Sequence, residues 1–361
     1  MILCAAGDPG GSRVMLSVIS ELTRRALPCA VLNHGFLGRE LPEQLHGCLY
    51  PEAEAEALME RAALFIFGSS ATDILPLSLA RRARARGLPI VHILDNWSTY
   101  RSRLETDGLE MLVPDIYTVI DKEAEAGAIA EGVPSSCMLV TGHPGLADSA
   151  VKLGSLLTQD RRQTAVTIDC PSDFIHLAFV NEPFRAVYGN DLQVEGHPGF
   201  TEDAVLAMFT AALRPYRERV HVSVLPHPKE STDAVSALWE RARDKVSGRV
   251  VTLAQSRDIL GAVDGVAGMA SILLYEAWLM RLPVLSLQPG CKLASLRRYA
   301  SLEGIQYTDS RDCISASVSA WLTRCEVPVA PVPRPELAMH AASPAKIAEC
   351  VIDLLREEAK V

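Results

Sequence analysis

The chain has 361 residues, 48% of them hydrophobic and 22% charged, with 44 acidic residues against 35 basic ones. That length points to two domains with a core each. The net charge of −9 argues against electrostatic capture of DNA or RNA, so no nucleic-acid partner is expected. The longest apolar runs fall far short of the roughly 20 residues that cross a bilayer. Peripheral membrane contact stays open. The start, MILCAAGDPGG, has no basic leader and reads as a first strand, which together with nine scattered cysteines lacking any C-x-x-C pair argues for the cytoplasm.

In chain order the first half repeats one unit. Strands are predicted at 2–7, 28–34, 64–68, 89–95, 114–121 and 137–144. Helices are predicted at 12–25, 52–62, 75–87 and 123–132. Short apolar strands alternating with helices imply a parallel sheet covered on both faces. The basic run RRARARG (81–87) has helical spacing and reads as a solvated helix face. A polar helical stretch, 148–163, follows. The pattern then restarts with strands at 164–169, 176–181, 220–228, 250–254 and 282–290. Helices are expected at 201–216, 232–245, 257–264 and 270–281, and a closing helix at 343–360 starts at Ser-Pro.

The fold class expected is therefore α/β, with two Rossmann-like parallel-sheet domains facing across a cleft. The boundaries are 1–150 for an N-terminal acceptor domain, 151–163 for a linker, 164–340 for a C-terminal nucleotide-sugar domain and 341–361 for a last helix. Ligands of open α/β sheets bind beyond the carboxyl ends of the strands, so the residues just after strands are the candidates.

The loop AGDPGGS (6–12) spaces Gly7, Gly10 and Gly11 wrongly for a dinucleotide fingerprint, and no G-K-[ST] follows. It suits either an anion or sugar at a helix N-terminus or a plain tight turn. Asp8 at its tip is a candidate base and Ser12 a candidate helix cap. In HILDNWSTYRSR (92–103), Asp95 ends a strand and can accept a hydroxyl proton. Trp97 and Arg101 beside it suit a sugar, a phosphate or a carboxylate. TGHPGLAD (141–148) places His143 at a hinge or against substrate. LPHPKES (225–231) fixes His227 between prolines, with Lys229 close by, as a diphosphate contact. In GVAGMASILLYEAWLMRLPVLSLQPG (265–290), a strand ends at Gly268 and a helix starts near Ser271. The bare amides there and the Ser271 hydroxyl suit phosphate oxygens. Glu276 suits a ribose diol, or else a solvent-facing position, and Gln288 could close over the site. No metal-ligand spacing and no D-x-D occur, so no metal and no bound cofactor are expected.

Together, AGDPGGS, VTGHPGLAD, LPHPKES and GMASILLYEAWLMRLPVLSLQPG resemble the GT-B-type nucleotide-sugar proteins, a group of glycosyltransferases and UDP-N-acetylglucosamine 2-epimerases. They are nearest to polysaccharide or antigen-type transferases, which the run FVNEPF (179–184) also resembles. The resemblance implies a nucleotide-diphosphate sugar as co-substrate. The nucleotide would bind the C-terminal domain through Gly268, Met269, Ser271, Glu276, His227, Lys229 and Gln288. Gly10 and Gly11 would assist, and the last helix would return to the N-terminal domain. A hydroxyl acceptor, a carbohydrate or another small molecule, would lie near Asp8, His34 and Asp95. The H-x-E-A-G segment of the epimerases is replaced by HILDNW, with Asp95 in the glutamate's place. The expected activity is a metal-independent, inverting glycosyl transfer in a monomer or homodimer. The alternatives are an epimerase or hydrolase, and a non-catalytic nucleotide-binding subunit.

Overall fold

The computed structural model describes residues 1–68, 73–105, 109–157, 173–256, 258–327 and 332–358. The chain divides into two compact units, Met1–Val151 with Ala338–Val361, and Lys152–Leu337.

The first unit holds a seven-stranded sheet: β1 (Ile2–Ala5), β2 (Cys29–Asn33), β3 (Leu49–Pro51), β4 (Leu64–Phe67), β5 (Ile90–Ile93), β6 (Ile116–Val119) and β7 (Met138–Val140). Its order is β3-β2-β1-β4-β5-β6-β7 and its pairings are parallel. The strands read as continuous apolar runs because both faces are covered. Leu3, Ala5, Phe65 and Phe67 enter one core, while Ile2, Cys4, Leu64 and Ile66 enter the other. That is the two-residue period of a strand serving two cores. Helices α1 (Pro9–Arg24), α2 (Gly35–Glu40), α3 (Ala55–Arg61), α4 (Leu75–Ala85) and α5 (Lys122–Ala130) connect the strands. Arg82 of α4 and Arg86 just beyond its end pair with Glu56, and Arg84 pairs with Asp115. The basic run is thus a helix face matched to carboxylates. A further helix, α6, spans Ala147–Leu156.

The second unit holds a six-stranded parallel sheet: β8 (Ile175–Val180), β9 (Val220–Leu225), β10 (Ser247–Val250), β11 (Gly265–Gly268), β12 (Val284–Leu287) and β13 (Ile305–Thr308). The order is β10-β9-β8-β11-β12-β13, with parallel pairing throughout. Its helices are α7 (Phe184–Tyr188), α8 (Glu202–Leu213), α9 (Thr232–Ala242), α10 (Ile272–Leu279) and α11 (Ile314–Cys325). Phe179, Phe209 and Trp321 lie at the centre of its main core.

The last helix, α12, runs Pro335–Glu358. Its Ile347, Ala348 and Val351 join the core of the first unit that holds Ile2 and Ile66. Among the described residues, no helix is long and apolar enough to cross a membrane, and the cysteines carry free thiols, with Cys313 exposed.

Several expectations change. The strand expected at 250–254 lies earlier, at Ser247–Val250, and Leu253–Gln255 is a 3-10 turn closed by a Thr252–Gln255 capping box. The last helix begins at Pro335, not at Ser343, and carries Pro344 in its interior. Its apolar face, from Leu337 to Val351, is long enough to hold it through the proline. The expected helix at 257–264 is a short 3-10 segment, Asp258–Gly261. The edge strands β3 and β13 and helix α11 were not expected. The strand expected at 164–169 and residues 158–163 of the linker lie outside the described residues.

Strand β10 fits at the sheet edge because residue 248 has no side chain. A Cβ on Gly248 would meet the Val222 carbonyl oxygen at 2.2 Å and the Trp239 ring at 2.7 Å. Backbone cannot yield as a flexible side chain does. Gly248→Ala is expected to lower unfolding free energy by about 1–3 kcal/mol, read from a urea melt. An unchanged midpoint would show that β10 shifts freely.

Candidate functional site

In each unit the strand order reverses beside the first strand, between β1 and β4 and between β8 and β11. The connections leaving two such neighbours diverge, and this opens a crevice at their carboxyl ends.

In the second unit the register brings three loops out level. Gly268 pairs with Val180, and Val180 pairs with Leu225. Asn181-Glu182, Met269-Ala270-Ser271 and Pro226-His227 therefore leave the sheet together. Gly268 permits the close approach, since a Cβ there would stand 3.0 Å from the Val180 carbonyl oxygen. The loops border a pocket of about 210 Å³, lined by Glu182, Pro183, Phe184, Val187, Tyr188, His227, Lys229, Ala270 and Leu296. The volume suits a small polar group rather than a large ligand.

The loop 269–271 is held rigidly. The Met269 carbonyl accepts from the Ser286 hydroxyl at 2.6 Å and from Gln288 Nε2 at 2.9 Å. The Tyr299 hydroxyl donates to the Ser271 carbonyl at 2.7 Å. With the carbonyls pinned, the amides have a fixed direction. The Ala270 N–H donates to Glu182 Oε2 at 2.7 Å, and the neighbouring amides of Ser271 and Met269 also favour the charged carboxylate. Burial pushes the Glu182 carboxyl up to about 7. The three amides pull it down, while the nearby Glu230 charge adds to the rise. Glu230 in turn accepts from Asn181 Nδ2 at 2.8 Å and from the His227 N–H at 3.0 Å. One carboxylate thus ties the end of β8 to the loop after β9.

His227 and Lys229 stand on the pocket wall. Ser271 is the N-cap of α10, and its hydroxyl accepts the Leu273 N–H at 3.3 Å. Gln288 is buried and acts on the loop rather than over the pocket. Its Oε1 has no hydrogen-bond partner among the described residues. Glu276 is fully buried in α10 and is not among the pocket-lining residues. That corrects the solvent-facing alternative. Glu182 was missed as a site residue. Its signal was a polar Asn-Glu-Pro directly after the apolar run HLAFV, at the strand beside the reversal.

In the first unit Cys4 pairs with Val31, Ala5 with Phe67, and Phe67 with His92. The loops carrying Gly7, His34, Gly68 and Asp95 consequently leave at one edge. Helix α1 begins at Pro9 with Asp8 as N-cap, and the Asp8 side chain makes no capping bond. Ser12 is not the cap. It is buried inside the helix, with its hydroxyl unpartnered among the described residues. The glycines make room for acids. A Cβ on Gly10 would stand 2.0 Å from Asp95 Oδ2, and one on Gly7 would stand 2.0 Å from Asp73 Oδ2 and 2.5 Å from the His34 ring. Gly11 packs on Gly68, where an added Cβ would stand 3.3 Å from the Gly68 carbonyl carbon.

Asp95 is paired with Arg103, both side chains being nearly buried. Burial raises the Asp95 carboxyl, while Arg103 opposes the rise and Asp8 adds to it. Asp95, a candidate base by its sequence position, is thus tied to Arg103 in the structure. His34 is better placed. Its Nε2 lies 3.0 Å from Asp73 Oδ1 and its Nδ1 lies 2.6 Å from Glu52 Oε1. Burial alone would lower the imidazole, but the two carboxylates outweigh it and its pKa is raised. Asp73 and Glu52 escaped the sequence reading because they lie 39 and 18 residues away along the chain.

Trp97 donates its indole N–H to Asp121 at 2.7 Å, and its ring lies 5.5 Å from that of His143. His143 Nε2 lies 3.0 Å from the Asp95 carbonyl oxygen, and its N–H donates to His340 Nδ1 of α12 at 3.0 Å. These residues brace the Asp95 loop. Arg101 points away, into an exposed pair with Glu105 at 2.6 Å. Among the described residues, no cluster of His, Cys, Asp and Glu has a metal-binding arrangement.

No protein-family model matches the chain, and no curated protein matches it. Solved structures do. The UDP-GlcNAc 2-epimerase from Methanocaldococcus jannaschii is 9% identical, with 97% of this chain and 98% of that one covered at a TM-score of 0.64. The UDP-GlcNAc 2-epimerase from Neisseria meningitidis, bound to UDP-GlcNAc, is 11% identical over 98% and 99%, at 0.61. HepE from Anabaena, in complex with UDP, is 13% identical over 99% and 98%, at 0.56. At these identities the likeness is one of fold: two Rossmann-like parallel-sheet domains of the GT-B type.

The state of His34 is open to test. A histidine whose folded pKa is raised contributes stability below its unfolded pKa and loses it as pH rises through the folded value. Asp73→Asn is expected to move the His34 titration, followed by imidazole proton NMR, to lower pH. An unmoved titration would show that Asp73 does not set the charge on this ring.

Proposed function

We propose that this chain is a nucleotide-sugar enzyme, and specifically a glycosyltransferase with its donor on the second unit and its acceptor on the first. The observation that carries the donor half is the pocket at the β8/β11 reversal. It combines two groups suited to phosphate, His227 and Lys229, with a loop whose amides already hold an oxyanion. Fixed peptide donors of this kind stabilise charge without reorganising, which is what a departing nucleoside diphosphate requires. The neighbours' complexes with UDP and UDP-GlcNAc make UDP the first nucleotide to test. Glu276 is assigned to the ribose on the family resemblance of its segment. Gly268, Met269, Ser271 and Gln288 shape the loop.

The acceptor half rests on His34. Asp73 orients the ring through Nε2, as a carboxylate orients a catalytic imidazole. Glu52, whose side chain is 49% exposed, yields Nδ1 to an acceptor hydroxyl. His34 takes the hydroxyl proton, the oxygen attacks the anomeric carbon, and the carbon–oxygen bond to the diphosphate breaks. One base on the acceptor side fits inversion. Asp8, Gly10 and Gly11 border the acceptor, and the Asp95–Arg103 pair supports the loop that carries Trp97. Protein side chains and peptide amides supply this chemistry, without a metal.

The second reading, a 2-epimerase, is favoured by the epimerase neighbours. The two are separated by product. An epimerase converts the donor alone, whereas a transferase needs an acceptor.

Calorimetry with UDP, GDP, CDP, ADP and dTDP is expected to show selective binding of one of them. Glu276→Gln is expected to weaken it roughly 10- to 100-fold, the worth of hydrogen bonds to a charged group. His34→Asn should leave that affinity unchanged and abolish acceptor-dependent turnover. Binding by none of the five in a folded protein overturns the nucleotide-sugar reading. Acceptor-free conversion of a UDP-sugar replaces transfer by epimerisation or hydrolysis.

A further inference from the structure

We propose that Glu182 is a resident anion in the diphosphate cradle, so that a nucleotide-sugar diphosphate enters only after the Glu182 carboxyl takes up a proton and gives up the amides. This deepens the nucleotide-sugar reading and rests on it.

The geometry is direct. The first amides of a helix, with the loop before them, form a natural oxyanion site. Here the loop just before α10 is occupied by the chain itself, with Glu182 Oε2 2.7 Å from the Ala270 nitrogen and the Ser271 and Met269 amides close enough to favour its charged form. Glu182 and Ala270 also line the pocket that holds His227 and Lys229. A phosphate reaching for those amides meets the carboxylate first. The two anions compete for the same donors, and if both stayed they would repel.

The groups around Glu182 set the sign. The loop after β9 contributes His227, Lys229 and Glu230, and α7 contributes Tyr188. The segment Ala294–Ala300 contributes Arg298 and Tyr299, and α10 contributes Glu276 against Tyr299. Both tyrosines are raised by burial, so they stay neutral around pH 7. The Glu230 charge raises Glu182, and the amides lower it against a larger burial effect, giving about 7. Below that pH the carboxyl is neutral and yields the amides readily. Above it, binding costs a proton uptake, and affinity falls tenfold per pH unit. Protonation of His227 would also favour phosphate at low pH, so the test must separate the two.

The probe is UDP-GlcNAc, whose diphosphate diester does not titrate between pH 6 and 8. GDP-mannose, ADP-glucose, CDP-glucose and dTDP-glucose serve alongside it. For the sugar nucleotide that binds, the dissociation constant is expected to be roughly tenfold higher at pH 8 than at pH 6. Glu182→Gln is expected to flatten that dependence and bind roughly tenfold more tightly than the parent at pH 8. Glu182→Ser serves if the glutamine variant does not fold. His227→Asn should bind more weakly yet keep the slope. A flat profile in the parent, weaker binding at pH 8 in both Glu182 variants, or a slope lost with His227 instead each overturns the proposal and leaves the nucleotide-sugar reading standing. No binding at pH 6 by the parent or either Glu182 variant overturns both.

Discussion

A parallel strand delivers its chain to the carboxyl edge of the sheet, and the helix that follows begins with amides its own turns cannot satisfy. Where the strand order reverses, neighbouring chains turn apart and those amides face a gap. In the second unit this gap lies between β8 and β11. The loop amides just before the helix need acceptors as well, and for Ala270 the chain supplies one from beyond the strand next door, as Glu182. Much of the surrounding detail follows. Glu230 fixes the loops that flank Glu182, and Ser286, Gln288 and Tyr299 pin the carbonyls behind the amides.

The first unit meets the same constraint differently. Its reversal, between β1 and β4, is built with glycine. Gly7, Gly10 and the Gly11–Gly68 contact keep the edge free of side chains at the places where Asp73, His34 and Asp95 stand. No side chain caps α1. The charges are matched within the edge instead, Asp95 by Arg103 and His34 by Asp73 and Glu52. Removing one member of a nearly buried pair such as Asp95–Arg103 leaves the other uncompensated, at a cost of about 3–5 kcal/mol. The pair therefore holds its loop in place, and His34 with its exposed Glu52 neighbour is the more adaptable group.

The fold was legible because fully buried parallel strands leave an apolar run that little else produces. LFIF, IVHI and VLSL each appear where expected. The edge strands β3 and β13 were not legible. LYP and IQYT are short and half-buried, so packing rather than composition makes them strands. Pro344 misled the reading of the last helix because the rule that places proline at a helix start is local, while the apolar face that carries α12 through it is tertiary. At the site, glycine loops and the His-Pro-Lys turn were legible because each is contiguous. His34–Asp73–Glu52 and Glu182–Ala270 were not, since each joins residues from separate strand ends. Only the register of the sheet makes them neighbours.

That register also bears on the proposed exchange of occupants in the cradle. Its amides are aimed by what holds their carbonyls, not by the anion in front of them. Met269 is fixed from β12 and Ser271 from Tyr299, so the donors keep their direction whichever acceptor is present. Glu182 reaches the amides from β8 on a side chain with three rotatable bonds, and its carboxyl is poised near neutrality. A rigid donor set facing a movable, titratable acceptor is an exchangeable site. Had a backbone carbonyl capped the same amides, displacement would have required the sheet itself to open.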